Sequence, residues 1–264
     1  MKNADNDIYK EFERASEVIL EPRLPVIIRL DGNSFSKLTK KHFIKPFDPK
    51  FDDAMDCAAK AVLEYCSGAL LAYVQSDEIT IILRNDQKEN TDPFLRNRVQ
   101  KLTSLTAATA SVAFSREAGL GAVFDARAFT VPNPTDALNV LIWRQEDCFT
   151  NAVHSACHHI CGQKMGKKTA YRWMHGKGTK DYIAKLEEIG RPLETFRKHT
   201  LYGRVIQRKV RESILEEIVD EDTMIHLISI GKSRDEVIIR QSYEALPETP
   251  IFKSDPAFLL SKFE

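Results

Sequence analysis

The sequence predicts an α+β fold: an antiparallel sheet of ferredoxin-like βαββαβ order with two helices on one face, followed by a helical, basic C-terminal lobe. Three observations predict it. Strand-type and helix-type periodicities alternate in that order over roughly one hundred residues. The 264 residues are 43% hydrophobic and 29% charged, as in ordinary globular domains. No internal repeat or low-complexity segment interrupts the pattern. A core over residues 1–134 and a second part over 135–264, packed on it as one continuous unit, are expected.

The elements follow in order. Residues 8–21 carry a charged helical pattern. "LPVIIRLDG" reads as a strand that Pro25 opens and Asp31-Gly32 closes. In "FDPKFDDAMDCAAKAVLEYC", Phe51, Met55, Ala58, Val62 and Tyr65 recur at helical spacing. "GALLAYVQ" and "ITIILRN" are strands joined by Ser76-Asp77-Glu78. Residues 92–113 form a helix on Leu95, Val99, Leu102, Thr106, Thr109 and Val112, and "VFDARAFTVP" is a fourth strand stopped by Pro132 and Pro134. A long helix runs through "TDALNVLIWRQEDCFTNAVHSACHHICG" with Thr135 as N-cap. Its core stripe is expected on Leu138, Leu141, Ile142, Gln145, Phe149, Ala152, Ala156 and Ile160. Residues 163–180 make a loop or short helices, and strands mixed with loops complete the chain.

Lys plus Arg and Asp plus Glu both number 38, so any nucleic-acid site must be a local patch on a neutral molecule. Five cysteines without framework spacing suggest reduced thiols. No signal-peptide pattern or membrane-length apolar run is present, so a cytoplasmic protein without a membrane partner is expected.

In the βαββ order the first strand and the hairpin are neighbours, so Asp31 and Asp77 can reach one sheet edge. With the Gly32 carbonyl they offer an oxygen-rich seat for Mg²⁺, which shares its shell with phosphates. The same residues also suit plain turns. Lys37, Lys40, Lys41, His42 and Lys45 follow, and Asn33, Ser34 and Ser36 offer amides and hydroxyls for a triphosphate. On the long helix, Arg144, Asp147, Asn151, His154 and His158 share a face suited to a nucleotide, to RNA or to an interhelical seam. His154, His158 and Cys161 also invite a zinc reading, although no further ligand is evident. Residues 163–180, with Tyr171 and Trp173, and residues 197–209 are local basic stretches suited to an RNA backbone.

The motifs "RLDGNSF", "KPFD", "AYVQSDE", "FDAR", "WRQEDCFTN" and "RKHTL" resemble, in that order, the tRNA-His guanylyltransferase family. The likeness implies a polymerase-like palm that adds nucleotides to the 5′ end of tRNA in the 3′-to-5′ direction. It implies two Mg²⁺ ions on Asp31, Gly32 and Asp77, with Glu78 as a further catalytic carboxylate. The triphosphate of GTP or ATP would lie on Asp31, Gly32, Asn33, Ser34, Phe35, Ser36, Lys45, Ser76 and Asp77. Phosphate or RNA contacts are expected at Arg29, Arg144, Asn151, Lys167, Lys168, Arg172, Lys180, Arg197 and Lys198, with Lys180 and Lys185 competing for one downstream lysine. A homotetramer is expected on the same ground. Where the eukaryotic enzymes carry "HINNLYN" this chain has "FTNAVHS", and "RKGT" is here "RKHT". That pattern resembles the bacterial and archaeal relatives that repair 5′-truncated tRNAs on a template. A palm-domain nucleotide cyclase and a silent RNA-binding relative are the rival readings.

Overall fold

The computed structural model describes residues 5–264, with side chains from residue 8 onward. Helix α1 (Asp5–Ala15) leads to β1 (Val26–Gly32), α2 (Phe35–His42) and α3 (Pro49–Tyr65). Strands β2 (Ala69–Gln75) and β3 (Glu78–Leu83) form the hairpin, followed by α4 (Val99–Ala118) and β4 (Phe124–Thr130). Then come α5 (Pro134–Met165), α6 (Lys167–Met174), α7 (Thr179–Glu188), α8 (Lys198–Tyr202) and β5 (Arg204–Ile214). Helix α9 (Glu221–Ser229), β6 (Val237–Ala245) and α10 (Ala257–Leu260) complete the chain.

The six strands pair antiparallel in the order β4-β1-β3-β2-β5-β6. The first four have the ferredoxin-like order expected from sequence, and two later strands widen the sheet beyond β2. Alternation decides what each face buries. Val26, Ile28 and Leu30 pack with Met55, Val62, Leu102 and Phe114 of α3 and α4. Ile27, Leu71, Tyr73 and Ile82 pack on the other face with Leu138 and Leu141 of α5. The two helices of the ferredoxin-like unit share one face as expected, and α5 of the second part covers the other. The far half of α5 joins α6, α7 and α8 in a third cluster around Val153, Ala156, Ile160, Tyr182 and Leu186.

Several local expectations are corrected. Asn133, not Thr135, caps α5: its side chain accepts from the Asp136 amide at 2.9 Å, and Pro134 takes the first helical position. Helix α1 stops at Ala15 instead of reaching residue 21. The α4 stripe runs Leu102, Thr106, Ala110, Phe114, leaving Val112 exposed. The stretch after Asn33-Ser34 is helix α2, and 163–180 contains α6 and the start of α7.

Candidate active site

Strand register brings the carboxylates together. Asp31 stands opposite Glu78 on β3 and Asp125 on β4, and opposed residues of antiparallel strands share a face. One residue on, the Gly32 amide donates to the Asp77 carbonyl at 3.0 Å, tying the end of β1 to the hairpin turn. Gly32 must be glycine, because a Cβ there would meet the buried Phe35 ring at 2.4 Å. The turn is tight: Ser76 has a left-handed φ of 46°, and its hydroxyl donates to Asp77 Oδ1 at 3.0 Å. Burial and the charges of Asp77, Glu78 and Asp125 push Asp31 above its usual 3.8, against the pull of Arg127. Burial also pushes Asp77 above 3.8; Glu78 adds to this and Lys45 opposes it. Carboxylates gathered at such a charging cost invite a cation.

Glu78 is spent differently. It is buried, and Arg144 grips it with two bonds of 2.7 Å, Nε to Oε1 and Nη2 to Oε2. Arg144 Nη2 also donates to Asp147 Oδ2 at 2.8 Å, and Asn151 reaches the same oxygen at 3.1 Å. The polar row on α5 thus begins as a buried clamp on β3.

A cavity of 530 Å³ opens beside these carboxylates. Of the expected nucleotide contacts, Asp31, Phe35, Ser36, Lys45, Ser76 and Asp77 line it, and Glu78, Arg144 and Asn151 join them. Gly32, Asn33 and Ser34 do not; Asn33 and Ser34 face solvent. Of the basic run after Asp31, only Lys45 reaches the cavity. Lys45 Nζ donates to Thr39 Oγ1 at 2.7 Å; burial lowers its ammonium below 10.5 while Asp77 holds it up. Asp48 shapes this wall, accepting from the Ile44 amide at 2.7 Å and from Lys50 at 3.0 Å, so one carboxylate caps α3 and pins the Lys45 loop.

The far wall escaped the sequence reading. Arg204 is buried between Asp56 (2.6 Å) and Asp52 (2.9 Å), and His199 Nε2 lies 3.5 Å from Asp52. Burial pushes Asp52 up, but the His199 and Arg204 contacts outweigh it and hold the carboxyl below 3.8. No spacing in the sequence links α3 to residues 199–204. Asp125 was legible in principle, because strand alternation in "FDAR" puts it on the Asp31 face.

The other expected phosphate or RNA contacts lie outside the cavity. Arg29 packs over Trp143, its guanidinium 5.5 Å from the ring centroid. Lys198 pairs with Glu248, Lys209 with Glu244 and Arg204 with two aspartates, so the 197–209 stretch is largely neutralised. Arg197, Lys180, Lys167, Lys168 and Arg172 are exposed. Lys185 pairs with Glu188, and neither it nor Lys180 lines the cavity. Among the described residues no three His, Cys, Asp or Glu side chains converge on a metal position. Cys161 is buried while His154 and His158 face out, which removes the zinc reading.

A βαββαβ sheet that carries facing carboxylates at a strand end, beside a cavity lined by Ser36, Lys45 and Ser76, defines a palm-type domain. Comparison with known proteins carries this further. A family model described as tRNAHis guanylyltransferase matches residues 6–132. An uncharacterised protein of Acanthamoeba polyphaga mimivirus is 35% identical over 185 residues, 59% of this chain and 63% of its own. The tRNA(His) guanylyltransferase of Schizosaccharomyces pombe is 30% identical over 179 residues, 64% of this chain and 66% of its own. Both matches thus span just under two thirds of the relative. A bacterial tRNA(His) guanylyltransferase-like protein in complex with ATP superimposes with a TM-score of 0.77 at 25% identity, covering 98% of this chain and 99% of that one. Over its N-terminal half this chain resembles the tRNA(His) guanylyltransferase family, and its fold resembles that of the bacterial guanylyltransferase-like protein along nearly the whole length.

Proposed function

We propose that the protein adds nucleotides to the 5′ end of tRNA in the 3′-to-5′ direction, after a nucleoside triphosphate activates the 5′-monophosphate. The observation that carries the proposal is the junction of Asp31 and Asp77 across the Gly32–Asp77 hydrogen bond, at the edge of a 530 Å³ cavity that Lys45 and Ser36 also line. The relatives bound to ATP and GTP support a purine triphosphate as occupant.

The donor set fits magnesium. Two carboxylates and the Gly32 carbonyl leave most of an octahedral shell to water and phosphate oxygens, as Mg²⁺ requires and a closed zinc site does not allow. Bound there, the ions would offset the charge on the attacking and leaving oxygens. Lys45 would hold phosphate from the α2 side, Ser36 and Ser76 would donate to its oxygens, and Asn151 would approach from α5. Arg144 keeps Glu78 in place, so Glu78 positions the hairpin and holds negative charge near the seat.

Templated repair is the form we favour. The position of the eukaryotic motif's histidine is Phe149, whose ring stacks on Tyr202 at 5.4 Å and 21° and serves packing. A homotetramer working in the cytoplasm completes the proposal, and light scattering in solution measures the mass. The central test is addition of labelled GTP to a 5′-monophosphorylated tRNA that lacks its first nucleotide. Extension that follows the template base and is lost in Asp77→Asn is expected. RNA-independent conversion of GTP to a cyclic product would sink the proposal.

A further inference from the structure

We infer that the cleft between α5 and α6 seats an unpaired RNA strand, apart from the catalytic cavity but joined to it along one face of α5. The inference rests on the proposed action at an RNA 5′ end and adds a second site. The cleft has a volume of 590 Å³ and is lined by His158, Lys167, Lys168, Tyr171, Arg172 and His175. Each of these side chains carries a cation, an imidazole or an aromatic ring, and no carboxylate enters the lining. Residues 163–180 contain six Lys or Arg and no acid, in a chain that is otherwise balanced. Among the described residues, Lys167, Lys168 and Arg172 have no hydrogen-bond or ion-pair partner. The two lysines stand in the first turn of α6, which holds no acidic residue. That placement sets positive charge against the positive end of the helix and is unfavourable until an anion arrives.

The aromatic component narrows the anion to nucleic acid, and to an unpaired form of it. Tyr171 is 68% exposed in the middle of α6. An exposed ring beside a guanidinium stacks on splayed bases, whereas a duplex keeps its bases stacked on one another. A cleft of this size is on the scale of a small-ligand pocket, enough to hold a base or two.

The face of α5 supplies the connection. Asp147, Asn151 and His154 line the catalytic cavity. The His154 ring lies parallel to that of His158, 6.5 Å away at 14°, and His158 lines the cleft. From Arg144 to His158 the helix rises about 21 Å at about 1.5 Å per residue. A stem whose 5′ end is at Asp31 and Asp77 releases its complementary strand's 3′ overhang at the same end, within reach of the cleft.

The test uses the full chain and measures anisotropy with a short labelled single-stranded RNA, a blunt RNA duplex and, separately, GTP. Tyr171→Ala should weaken single-strand binding about tenfold or more, and Tyr171→Phe should keep it. Lys168→Ala combined with Arg172→Ala should flatten the salt dependence of single-strand binding by about 1.4 in log–log slope. GTP affinity and melting temperature should not change in any of them. Unchanged single-strand affinity in all variants, or an equal loss on the blunt duplex, would overturn the inference. Normal addition to a tRNA stripped of its 3′ overhang, at unchanged KM, would also overturn it and leave the proposed activity standing. Absence of addition in the wild-type protein, with the Tyr171 and lysine effects intact, would remove the activity and leave the cleft.

Discussion

Because β3 begins at Glu78, the carboxylates of Asp77 and Glu78 meet different partners although they adjoin in sequence. Glu78 is locked to Arg144, whereas Asp77 shares the cavity edge with Asp31, at a charging cost that burial sets. The two residues should therefore respond in opposite ways. In chelator, Asp77→Asn should melt at the wild-type temperature or a few degrees above it, since a like charge is removed. Magnesium should raise the melting temperature of the wild type and leave that of Asp77→Asn unchanged. Glu78→Ala should lower stability by about 3 kcal/mol in urea, because Arg144 keeps only Asp147, yet it should retain the magnesium response. A pH dependence belongs to Asp52. Its carboxyl is held below 3.8 in the folded protein, so the stability it contributes is present above 3.8 and is lost as pH falls through the lower folded value. Asp52→Asn should cost about 2 kcal/mol near neutrality, and the difference from wild type should close in acid, as urea midpoints at several pH values would show. The carboxylate pair was legible in the sequence because strand order alone places both at one edge. Arg204 was not, because its partners lie on a helix far away in the chain.

Periodicity governs how well each element could be read. Strands β1 to β4 and helices α3 and α4 bury full stripes against one another, so their repeats of two and of 3.6 stand out. Helix α2 was hidden because its buried positions, Phe35 and Thr39, are few and are set among lysines. Strands β5 and β6 extend beyond the core, and their outer halves carry exposed Val210, Val237 and Ile239, so burial does not mark them. The α8–β5 junction is fixed by contact instead of pattern. Gly203 has φ 74° and ψ −171°, and a Cβ there would meet the Tyr73 ring at 2.6 Å. The Tyr73 hydroxyl meanwhile donates to the Tyr202 carbonyl at 2.9 Å. Gly203→Ala should cost about 3 kcal/mol in urea unfolding, from backbone strain and the displaced ring. It should also weaken GTP binding, since the junction carries His199 and Arg204 into the cavity wall. Wild-type stability in that variant would mean that the α8–β5 turn can be rebuilt without glycine.

At the scale of the whole molecule the charges cancel, 38 against 38, but they do not mix evenly. Acids gather at the sheet edge around Asp31, and unpaired cations gather on α6. Local runs of like charge are visible in a sequence, but which cations are neutralised by distant acids is not. This is why 163–180 and 197–209 looked alike as basic stretches and fold to different ends. Only the first keeps a cluster of free cations in a cleft; the second is largely consumed by Asp52, Asp56, Glu244 and Glu248. Two ligands should then respond differently to salt. RNA must displace counterions from several phosphates, so the logarithm of its affinity should fall with the logarithm of salt by about 0.7 to 0.9 per phosphate contacted. With Lys45 the one cation of the basic run after Asp31 that lines the catalytic cavity, and carboxylates beside it, GTP should release few counterions and show a shallower slope. Titrating both ligands between low and physiological salt separates the cases. Equal slopes would mean that the cations of α6 take no part in RNA binding and that the catalytic cavity alone holds both substrates.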